Sequence, residues 1–459
     1  MKTNRRNFLA AAAAATIVPR YVLGGANHVP PSEKVNVALV GAGGQGRTNV
    51  RNLFRLADAR VIALADPIAR EDMNAFYYRG MAGRAPVCQE IEKHYAAGSP
   101  GFRCTAYEDF RVMLEKEKSI DAVLCATPDH LHAYVSILSM RAGKHVYCEK
   151  PLTHNIWEAR KVAQVAEETG AATQMGNSGH SNAGIRQTCE WIWDGAIGPV
   201  REAHAWVGAN RWNKQLTGAP TETPPVPDGV NWDLWLGPRE VRPYHPAYTP
   251  VTWRDFWAFG GGGLGDFGCH DMDAACWALD LAAPRTVESR PAGNMDAEIA
   301  PHGEICYYEF DARGEKPAVR LTWYDGGLRP PCPEEIPAGS ALPSRGTLFI
   351  GERGKMLCDG AGGPPRLLPY EKTPDYARPA ETIPRSKGHH RDWLDAIKGG
   401  PPASSNFEYA ARLTEIVLLG ILSLRTGKKI HWDAGAMQAR GLAAADPFIK
   451  ETCRKGWEI

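Results

Sequence analysis

Residues 260–273, GGGGLGDFGCHDMD, place one histidine among three carboxylates, directly after four consecutive glycines. Asp266 and His270 are four residues apart, so on a helix they share one face and can meet. A carboxylate beside the imidazole orients the ring and stabilises its charged form, which poises the ring for proton transfer near neutral pH. We predict an acid/base centre on a helix start, and the glycines allow the preceding loop to pass close to a ligand.

Two other interpretations of this segment stay open. Aspartate and histidine can ligate a divalent ion, although no His-x-x-x-His or His-Glu pattern accompanies them, and we predict no metal. The further candidate ligands are Asp129, His130 and His132. In the structural interpretation, Asp266 is a helix N-cap and His270 is a satisfied core residue. We expect Asp273 to be structural.

Residues 35–46, VNVALVGAGGQG, combine a buried-strand pattern with the turn G-x-G-x-x-G, and a helical segment follows. In this motif Gly41 permits the tight turn, Gly43 lets a pyrophosphate approach the backbone, and Gly46 lets helix and strand pack closely. Free N–H groups at the helix start favour the phosphate charge. The predicted nucleotide contacts of this turn are Gly41, Gly43, Gly44, Gln45 and Gly46.

A second strand, ARVIALAD, ends at Asp66, about twenty residues after Gly46. An acid at this point accepts hydrogen bonds from both ribose hydroxyls and repels a 2′-phosphate, so it favours NAD over NADP. Arg70 lies four residues later and keeps NADP as the lesser alternative.

Strand-like and helical segments then alternate, with apolar strand segments at 121–127 and 144–149. This alternation predicts a doubly wound parallel sheet whose ligand crevice lies beyond the carboxyl ends of the strands. Two polar motifs fall at such ends, TPDHLH at 127–132 and CEKPL at 148–152. Their predicted cofactor contacts are Thr127, Pro128, His132, Glu149 and Lys150.

Lys150 follows a buried strand at this crevice and precedes a proline that fixes the chain. A lysine here can hydrogen-bond a reacting oxygen and stabilise the negative charge that develops on it. Lys150, Asp266 and His270 therefore form the predicted catalytic set, and the alternative for Lys150 is a surface cation.

The glycine motif, T-P-x-x-x-H, E-K-P and G-G-x-x-x-D-x-x-x-H follow one another along the chain. In this order they resemble the Gfo/Idh/MocA family of glucose–fructose oxidoreductase and inositol dehydrogenase-like enzymes, over nearly everything after residue 26. The resemblance implies that Lys150 is the essential lysine, that Asp266 and His270 hold the acid/base role, and that Glu149 supports cofactor binding. It also implies chemistry without a metal, and a dimer or tetramer.

We predict four segments. A twin-arginine (Tat) export signal at 1–26 is indicated by Arg5 and Arg6 before a short apolar run, and it places the protein in the periplasm or otherwise outside. The alternative is a basic, alanine-rich helix of the mature chain. A short arm at 27–33 is expected to help cover the nucleotide cleft. A Rossmann NAD-binding domain at 34–152 and a substrate-binding and oligomerisation domain at 153–459 follow.

Alternating segments such as GEICYYEF at 303–310 predict antiparallel strands in the last domain. The resemblance implies an α/β domain there, built on a large, open, mostly antiparallel sheet.

The chain of 459 residues is 44% hydrophobic and 23% charged, as in ordinary globular proteins. Its formal net charge of +1 gives no electrostatic case for nucleic acid, and no apolar run reaches the roughly 20 residues of a membrane span. The 11 cysteines include no Cys-x-x-Cys pair and are interpreted as buried thiols.

Tryptophans are concentrated between residues 206 and 257, and aromatic faces suit the apolar faces of sugar rings. The predicted substrate contacts are Trp253 and Arg254 near the catalytic segment, and Asn177, His180 and Arg186 after a predicted strand end. The sequence thus predicts an exported NAD-dependent oxidoreductase that moves hydride between an alcohol carbon of a sugar, polyol or glycoside and a tightly held nicotinamide cofactor. The alternatives are redox-neutral glycoside cleavage by transient oxidation and elimination, and a non-enzymatic nucleotide-bound sensor.

Overall fold

The computed structural model describes residues 29–337 and 339–459, which are built around two large sheets. The predicted export signal and residues 27 and 28 of the predicted arm lie outside the described residues. In the described part of the arm, Ser32 and Glu33 line a surface groove together with Asp121 and His145. That groove is at the amino ends of the strands, so these arm residues do not cover the cleft at the opposite edge, contrary to expectation.

The first layer contains eight strands: β1 (Val35–Val40), β2 (Ala59–Ala65), β3 (Glu71–Asp72), β4 (Met81–Ala82), β5 (Thr105–Tyr107), β6 (Ala122–Cys125), β7 (His145–Cys148) and β8 (Thr173–Met175). Six of them form a parallel sheet in the order β5-β2-β1-β6-β7-β8, while β3 and β4 form a separate hairpin. The strands at its centre read as near-continuous apolar runs because helices cover both faces of such a sheet. The doubly wound parallel sheet is confirmed.

Five helices belong to this layer: α1 (Gly44–Leu53), α2 (Arg84–Ala96), α3 (Phe110–Lys116), α4 (Asp129–Arg141) and α5 (Ile156–Thr169). Helix α5 begins at a capping box, in which Asn155 accepts from the Glu158 amide and Glu158 accepts from the Asn155 amide. It ends at Gly170, whose φ of 63° is left-handed. Strand β8 follows α5 and pairs with β7, so the first sheet continues beyond the predicted boundary at residue 152.

The second sheet has nine strands: β9 (Val200–Val207), β10 (Thr286–Ala292), β11 (Gly303–Phe310), β12 (Val319–Tyr324), β13 (Arg345–Gly351), β14 (Gly354–Asp359), β15 (Pro365–Leu368), β16 (Ile430–Asp433) and β17 (Gln438–Ala439). Their order is β15-β14-β13-β9-β12-β11-β10-β16-β17. The β9–β12 pair is parallel and the other pairs are antiparallel. The large, mostly antiparallel sheet is therefore confirmed.

The remaining helices are α6 (Ala183–Trp193), α7 (Trp232–Leu236), α8 (Gly262–Asp271), α9 (Asp273–Ala278), α10 (Lys372–Asp375), α11 (His389–Ile397), α12 (Phe407–Thr426) and α13 (Asp446–Ile449). Helix α12 packs on α5, on α8 and on β10, and so connects the two sheets. No helix in the described residues is long and apolar enough to cross a membrane. All eleven cysteines are free thiols, and most of them are buried.

Candidate active site

A cleft of about 390 Å³ lies at the carboxyl ends of the parallel strands. One side is formed by the glycine turn after β1 and by the segments after β2, β6 and β7. Helix α8 and the segment before it form the opposite side. This is the crevice in which a doubly wound sheet binds its ligands.

The glycine turn has the geometry of a nucleotide cradle. Gly41 has a φ of +91°, and a Cβ there would lie 2.6 Å from the Ala126 carbonyl. A Cβ on Gly46 would lie 2.0 Å from the Gly41 oxygen, so this glycine is required for helix and strand to pack. A Cβ on Gly43 would meet nothing within 4 Å, which leaves its backbone open to the cleft. No side chain caps α1, so its first N–H groups are free for a phosphate.

The β3–β4 hairpin covers one edge of this turn, a contact that the sequence did not reveal. The Tyr78 ring packs on Gly44, where a Cβ would lie only 2.2 Å from it. Beneath the hairpin, the buried Arg47 guanidinium donates to the backbone oxygens of Tyr78 (2.6 Å), Arg79 and Met81 (2.7 Å). The hairpin is thereby attached to α1.

Asp66 lies at the end of β2 and lines the cleft, as predicted. Its carboxylate accepts from the amides of Ala42 at 2.6 Å and Ile68 at 2.7 Å. Burial raises the pKa of Asp66 to about 6, so the group is mostly ionised at neutral pH. Arg70 is exposed and is not among the residues that line the cleft.

The two motifs at the strand ends also reach the cleft, which Thr127, Pro128, His132, Glu149 and Lys150 all line. Glu149 Oε1 accepts from Asn49 at 2.8 Å and from Gln45 at 3.2 Å, which ties α1 to the end of β7. His132 lies with its ring nitrogens 2.7 Å from the Pro151 oxygen and 2.9 Å from the Thr127 oxygen. Burial lowers the pKa of His132 to about 4, and the neutral ring has one N–H, so it donates to one of these two oxygens.

Lys150 contacts the second sheet's layer through Asp266. Its Nζ donates to Asp266 Oδ1 at 2.6 Å and to the Asp266 backbone oxygen at 2.8 Å. The same carboxylate accepts from Arg254 Nε and from Trp212 Nε1, both at 3.0 Å. Burial favours the neutral acid, but Arg254 and Lys150 outweigh burial and hold the pKa of Asp266 well below its usual range. Burial likewise opposes the charge of Lys150, but Asp266 raises its pKa, so the ammonium stays charged.

His270 lies half-buried on α8 and lines the same cleft. The expected contact with Asp266 is not made: within the described chain, hydrogen bonds join that carboxylate to Lys150, Arg254 and Trp212 rather than to the ring. Burial, the Lys150 ammonium and the Arg345 guanidinium lower the pKa of His270 well below its usual value. The expected stabilisation of the charged ring by Asp266 is therefore not found, because burial and the two cations favour the neutral imidazole.

The glycines before His270 serve packing rather than ligand approach. Added Cβ atoms would lie 2.7 Å from Arg254 Cα at Gly260, 2.4 Å from Asp325 Oδ2 at Gly263, and 2.8 Å from Val417 at Gly268. Helix α8 can therefore lie directly on α12 and on the end of β12. The residues at 260–263 do not line the cleft.

Trp253 and Arg254 line the cleft as predicted, with the Arg254 guanidinium carbon 4.2 Å from the Trp253 ring centre. The structure does not bring Asn177, His180 and Arg186 to the cleft; Gly176 and Ser178 line it instead. Asn177 donates to Asp273 at 3.0 Å and His180 Nδ1 lies 2.9 Å from the same carboxylate. Arg186 Nε donates to the Pro384 oxygen at 2.9 Å. All three are buried in a network behind the cleft, in which Asp273 is structural.

Three potential metal ligands, Cys125, His132 and Cys148, lie within 4.8 Å of one another behind the motifs. Both ring nitrogens of His132 are already engaged by backbone oxygens. Of the other candidate ligands, His130 Nε2 lies 2.9 Å from the Trp235 oxygen. Backbone oxygens thus compete with an ion for both histidine rings, and the absence of a metal stays a prediction.

Several residues that line the cleft were not predicted as contacts: Tyr77, Tyr78, Asp129, Ser178, Trp212 and Arg345. Asp129 belongs to the TPDHLH motif and Trp212 to the tryptophan-rich segment, so both could have been found from the sequence. Burial raises the pKa of Asp129 to about 8. Tyr78 and Arg345 belong to no recognisable pattern.

Inositol 2-dehydrogenase of Rhizobium meliloti (strain 1021) is 28% identical over 308 residues, which are 65% of this chain and 81% of the relative. The 2,7-anhydro-N-acetylneuraminate hydratase of Mediterraneibacter gnavus is 25% identical over 181 residues, or 39% of this chain and 41% of the relative. The latter match thus spans about two fifths of that relative's length. Among solved structures, the aldose-aldose oxidoreductase from Caulobacter crescentus complexed with glycerol has a TM-score of 0.54 and 18% identity, covering 87% of this chain and 100% of that chain.

Two family models match the chain: the NAD-binding Rossmann fold of the oxidoreductase family over residues 35–177, and its C-terminal α/β domain over residues 193–309. Together they cover more than half of the sequence; the first spans the parallel sheet, and the second spans β9, β10 and most of β11 of the second sheet. The chain therefore belongs to the Gfo/Idh/MocA oxidoreductase family.

Proposed function

We propose that the protein is an exported NAD-dependent oxidoreductase that transfers hydride between an alcohol carbon of a sugar, polyol or glycoside and a tightly held nicotinamide cofactor. The observation that carries the proposal is the contact of Lys150 Nζ with Asp266 Oδ1 at 2.6 Å, beside His270, in a cleft that begins at the glycine turn. A charged lysine and a neutral imidazole at one crevice suit a reaction in which a carbinol loses a proton to a base and a hydride to a nicotinamide.

The roles of the three side chains follow from their charges. The bound nicotinamide supplies the hydride acceptor or donor. Lys150 donates a hydrogen bond to the substrate oxygen and stabilises negative charge there, while Asp266 keeps the ammonium charged and oriented. His270 is neutral, so it can accept the hydroxyl proton during oxidation and return it during reduction.

The choice of NAD is supported by the position of Asp66, because a carboxylate at the end of β2 can accept from ribose hydroxyls and repels a 2′-phosphate. Gln45 and Glu149 lie beside the turn and would contact the rest of the nucleotide. The Arg5-Arg6 segment supports export after folding. An exported enzyme has no shared pool of nucleotide, so we propose that the cofactor stays bound and is regenerated in place.

A carbohydrate or polyol substrate is supported by the aromatic groups of the cleft and by the relative named inositol 2-dehydrogenase. Trp212 and Trp253 line the side of the cleft that carries Asp266, where a sugar face could stack. The relative named a hydratase favours redox-neutral glycoside cleavage as a second candidate, since its name describes no net oxidation.

The test begins with the nucleotide released on denaturing the purified protein, followed by screening sugars, polyols and glycosides for NADH formation. We expect near-stoichiometric NAD or NADH and turnover of at least one alcohol. Release of free aglycone without net NADH would instead favour the cleavage reaction. Protein that purifies without nucleotide and neither reduces added NAD nor cleaves any glycoside would refute both enzyme functions.

A further inference from the structure

A rigid guanidinium lies in the wall of the cleft. Arg345 is the first residue of β13, and it donates from Nε to Asp271 Oδ1 at 3.0 Å and from Nη2 to Asp271 Oδ2 at 2.6 Å. Asp271 is 1% exposed and its Oδ1 also accepts from the Ala361 amide at 3.2 Å. A carboxylate fixed in this way holds the guanidinium in one orientation.

The pairing leaves one edge of Arg345 free. A guanidinium carries five N–H donors in a planar fork, and the Asp271 contact uses the Nε edge. Across the described parts of the chain, no residue accepts from Nη1. The free edge is formed by Nη1 and by the second hydrogen of Nη2. Because the side chain is 33% exposed and lines the cleft, this edge is available to a ligand. Two parallel N–H donors are the match for a carboxylate.

This edge adjoins the proposed reaction centre. Asp271, which holds Arg345, directly follows His270 on α8, and the guanidinium carbon lies 5.9 Å from the Phe267 ring centre on the same helix. Arg345 is also one of the charges that lower the pKa of His270. Arg345, His270 and Lys150 line one cleft, so a single substrate molecule could contact all three.

The charges around His270 do not balance. Asp266 is shared between Lys150 and Arg254, while Asp271 is paired with Arg345 alone. Three cations and two ion-paired carboxylates thus lie around His270, while the cleft carboxylate Glu149 is hydrogen-bonded to Asn49 and Gln45 on the side of the glycine turn. Burial raises the pKa of Asp129 to about 8, so near pH 7 this acid does not supply the missing negative charge. An enclosed site with surplus positive charge favours an anionic ligand.

We propose that the substrate is an acidic sugar, a sugar or polyol bearing a carboxylate, which Arg345 binds through two parallel hydrogen bonds from its free edge. The reacting carbinol then lies between Lys150 and His270. The position of the carbinol rests on the proposed function, whereas the carboxylate contact does not.

The test compares acid and neutral sugars of the same configuration. Binding of D-glucuronate against D-glucose, and of D-galacturonate against D-galactose, is measured by calorimetry on the nucleotide-loaded protein, and NADH formation is recorded in parallel. We expect at least one acid to bind on the order of 10- to 100-fold more tightly than its neutral partner. Arg345→Gln should reduce this ratio to near one, and Arg345→Lys should leave an intermediate ratio because the charge remains without the paired donors.

Arg366→Gln is the matched control, because Arg366 lies on the same sheet, contacts Asp359 at 2.6 Å and does not line the cleft. It should leave the ratio unchanged. If Arg345→Gln does not fold, the acid-to-neutral affinity ratios of the wild type and of Arg345→Lys test the inference.

Three outcomes overturn the inference. The neutral sugars bind as tightly as the acids or more tightly, both Arg345 variants leave the acid-to-neutral affinity ratio unchanged, or none of the four sugars binds. Tight, Arg345-dependent binding of acids without any reduction of NAD would instead refute the redox function and retain the acidic ligand. Oxidation of the neutral sugars alone would retain the redox function and refute the acidic substrate.

Discussion

Lys150, which follows a strand of the parallel sheet, and Asp266, which lies on a helix beside the antiparallel sheet, meet at 2.6 Å. Lys150 follows β7 of the parallel sheet, and Asp266 lies on α8, which packs beside the antiparallel sheet. Removing Asp266 would leave the largely buried Lys150 ammonium without its carboxylate, whereas removing Lys150 would leave Asp266 paired with Arg254 and Trp212. The proposed chemistry and the docking of the two layers therefore depend on the same contact.

Lys150→Ala and His270→Ala should each lower kcat/KM on the order of 100-fold or more, because each removes a positioned proton or charge carrier. Nucleotide binding should survive in both variants, since the glycine turn is untouched. Steady-state kinetics and nucleotide content check this. Lys116→Ala, an exposed lysine on α3, is the control and should behave as wild type. Normal turnover in the two site variants would remove these residues from the mechanism.

The neutral state of His270 predicts a flat titration. Burial and the neighbouring cations lower the pKa of the ring. The ring therefore stays neutral, with one N–H proton, from pH 8 down to well below the usual pKa of about 6.5. NMR of histidine-labelled protein, with the His270 signal assigned by His270→Gln, should show no change for this ring between pH 8 and pH 6. A midpoint near 6.5 or higher would contradict the geometry described here.

Asp66→Asn should relax the discrimination between NAD and NADP, because the carboxylate that repels a 2′-phosphate becomes neutral. Dissociation constants for both nucleotides measure the effect, which we expect to be about tenfold or more in their ratio. Arg70→Gln should leave the ratio unchanged, since Arg70 does not line the cleft. A wild-type protein that prefers NADP would show that Asp66 does not govern the choice.

Two glycines of the turn should separate binding from folding. Gly43→Ala places a Cβ in open space, so the fold should persist while nucleotide affinity falls. Gly46→Ala places a Cβ 2.0 Å from the Gly41 oxygen and should lower the free energy of unfolding by several kcal/mol (~2–4). Urea unfolding and nucleotide titration of both variants test this. Equal loss of stability in the two would be inconsistent with the described turn.

A buried carboxyl pair should make stability pH-dependent. Glu304 and Asp325 lie together on β11 and after β12, and burial raises the pKa of Asp325 to about 7. The pKa of Asp325 is higher in the folded than in the unfolded protein. Its protonated carboxyl therefore favours the folded state fully below about pH 4, and this contribution is lost as the pH rises to 7. Glu304→Gln should reduce this loss, which is on the order of a few kcal/mol. Unfolding at pH 5 and pH 8 checks it, with Glu309→Gln, paired with Arg320 at the surface, as the control.

The sequence predicted the groups whose position depends on the nearby backbone. The glycine turn, Asp66 and Lys150 each directly follow a strand of a parallel sheet, so the order of strands places them at one crevice. Their placement requires no knowledge of the second domain.

Long-range side-chain partners could not be predicted in the same way. Helical spacing allowed Asp266 to meet His270, but Lys150, Arg254 and Trp212 come from other segments and compete for the same carboxylate. Similarly, Asn177 and His180 follow a strand end but turn toward Asp273, about ninety positions along the chain. Sequence spacing describes which contacts are allowed, and the tertiary fold selects among them.

The attachment of the β3–β4 hairpin has a kinetic consequence. The Tyr78 ring lies on Gly44, and Arg47 holds the hairpin through three backbone oxygens. A nucleotide seated on the turn would leave on this side only after the hairpin lifts. Exchange is then limited by a motion of the protein rather than by the nucleotide's own contacts.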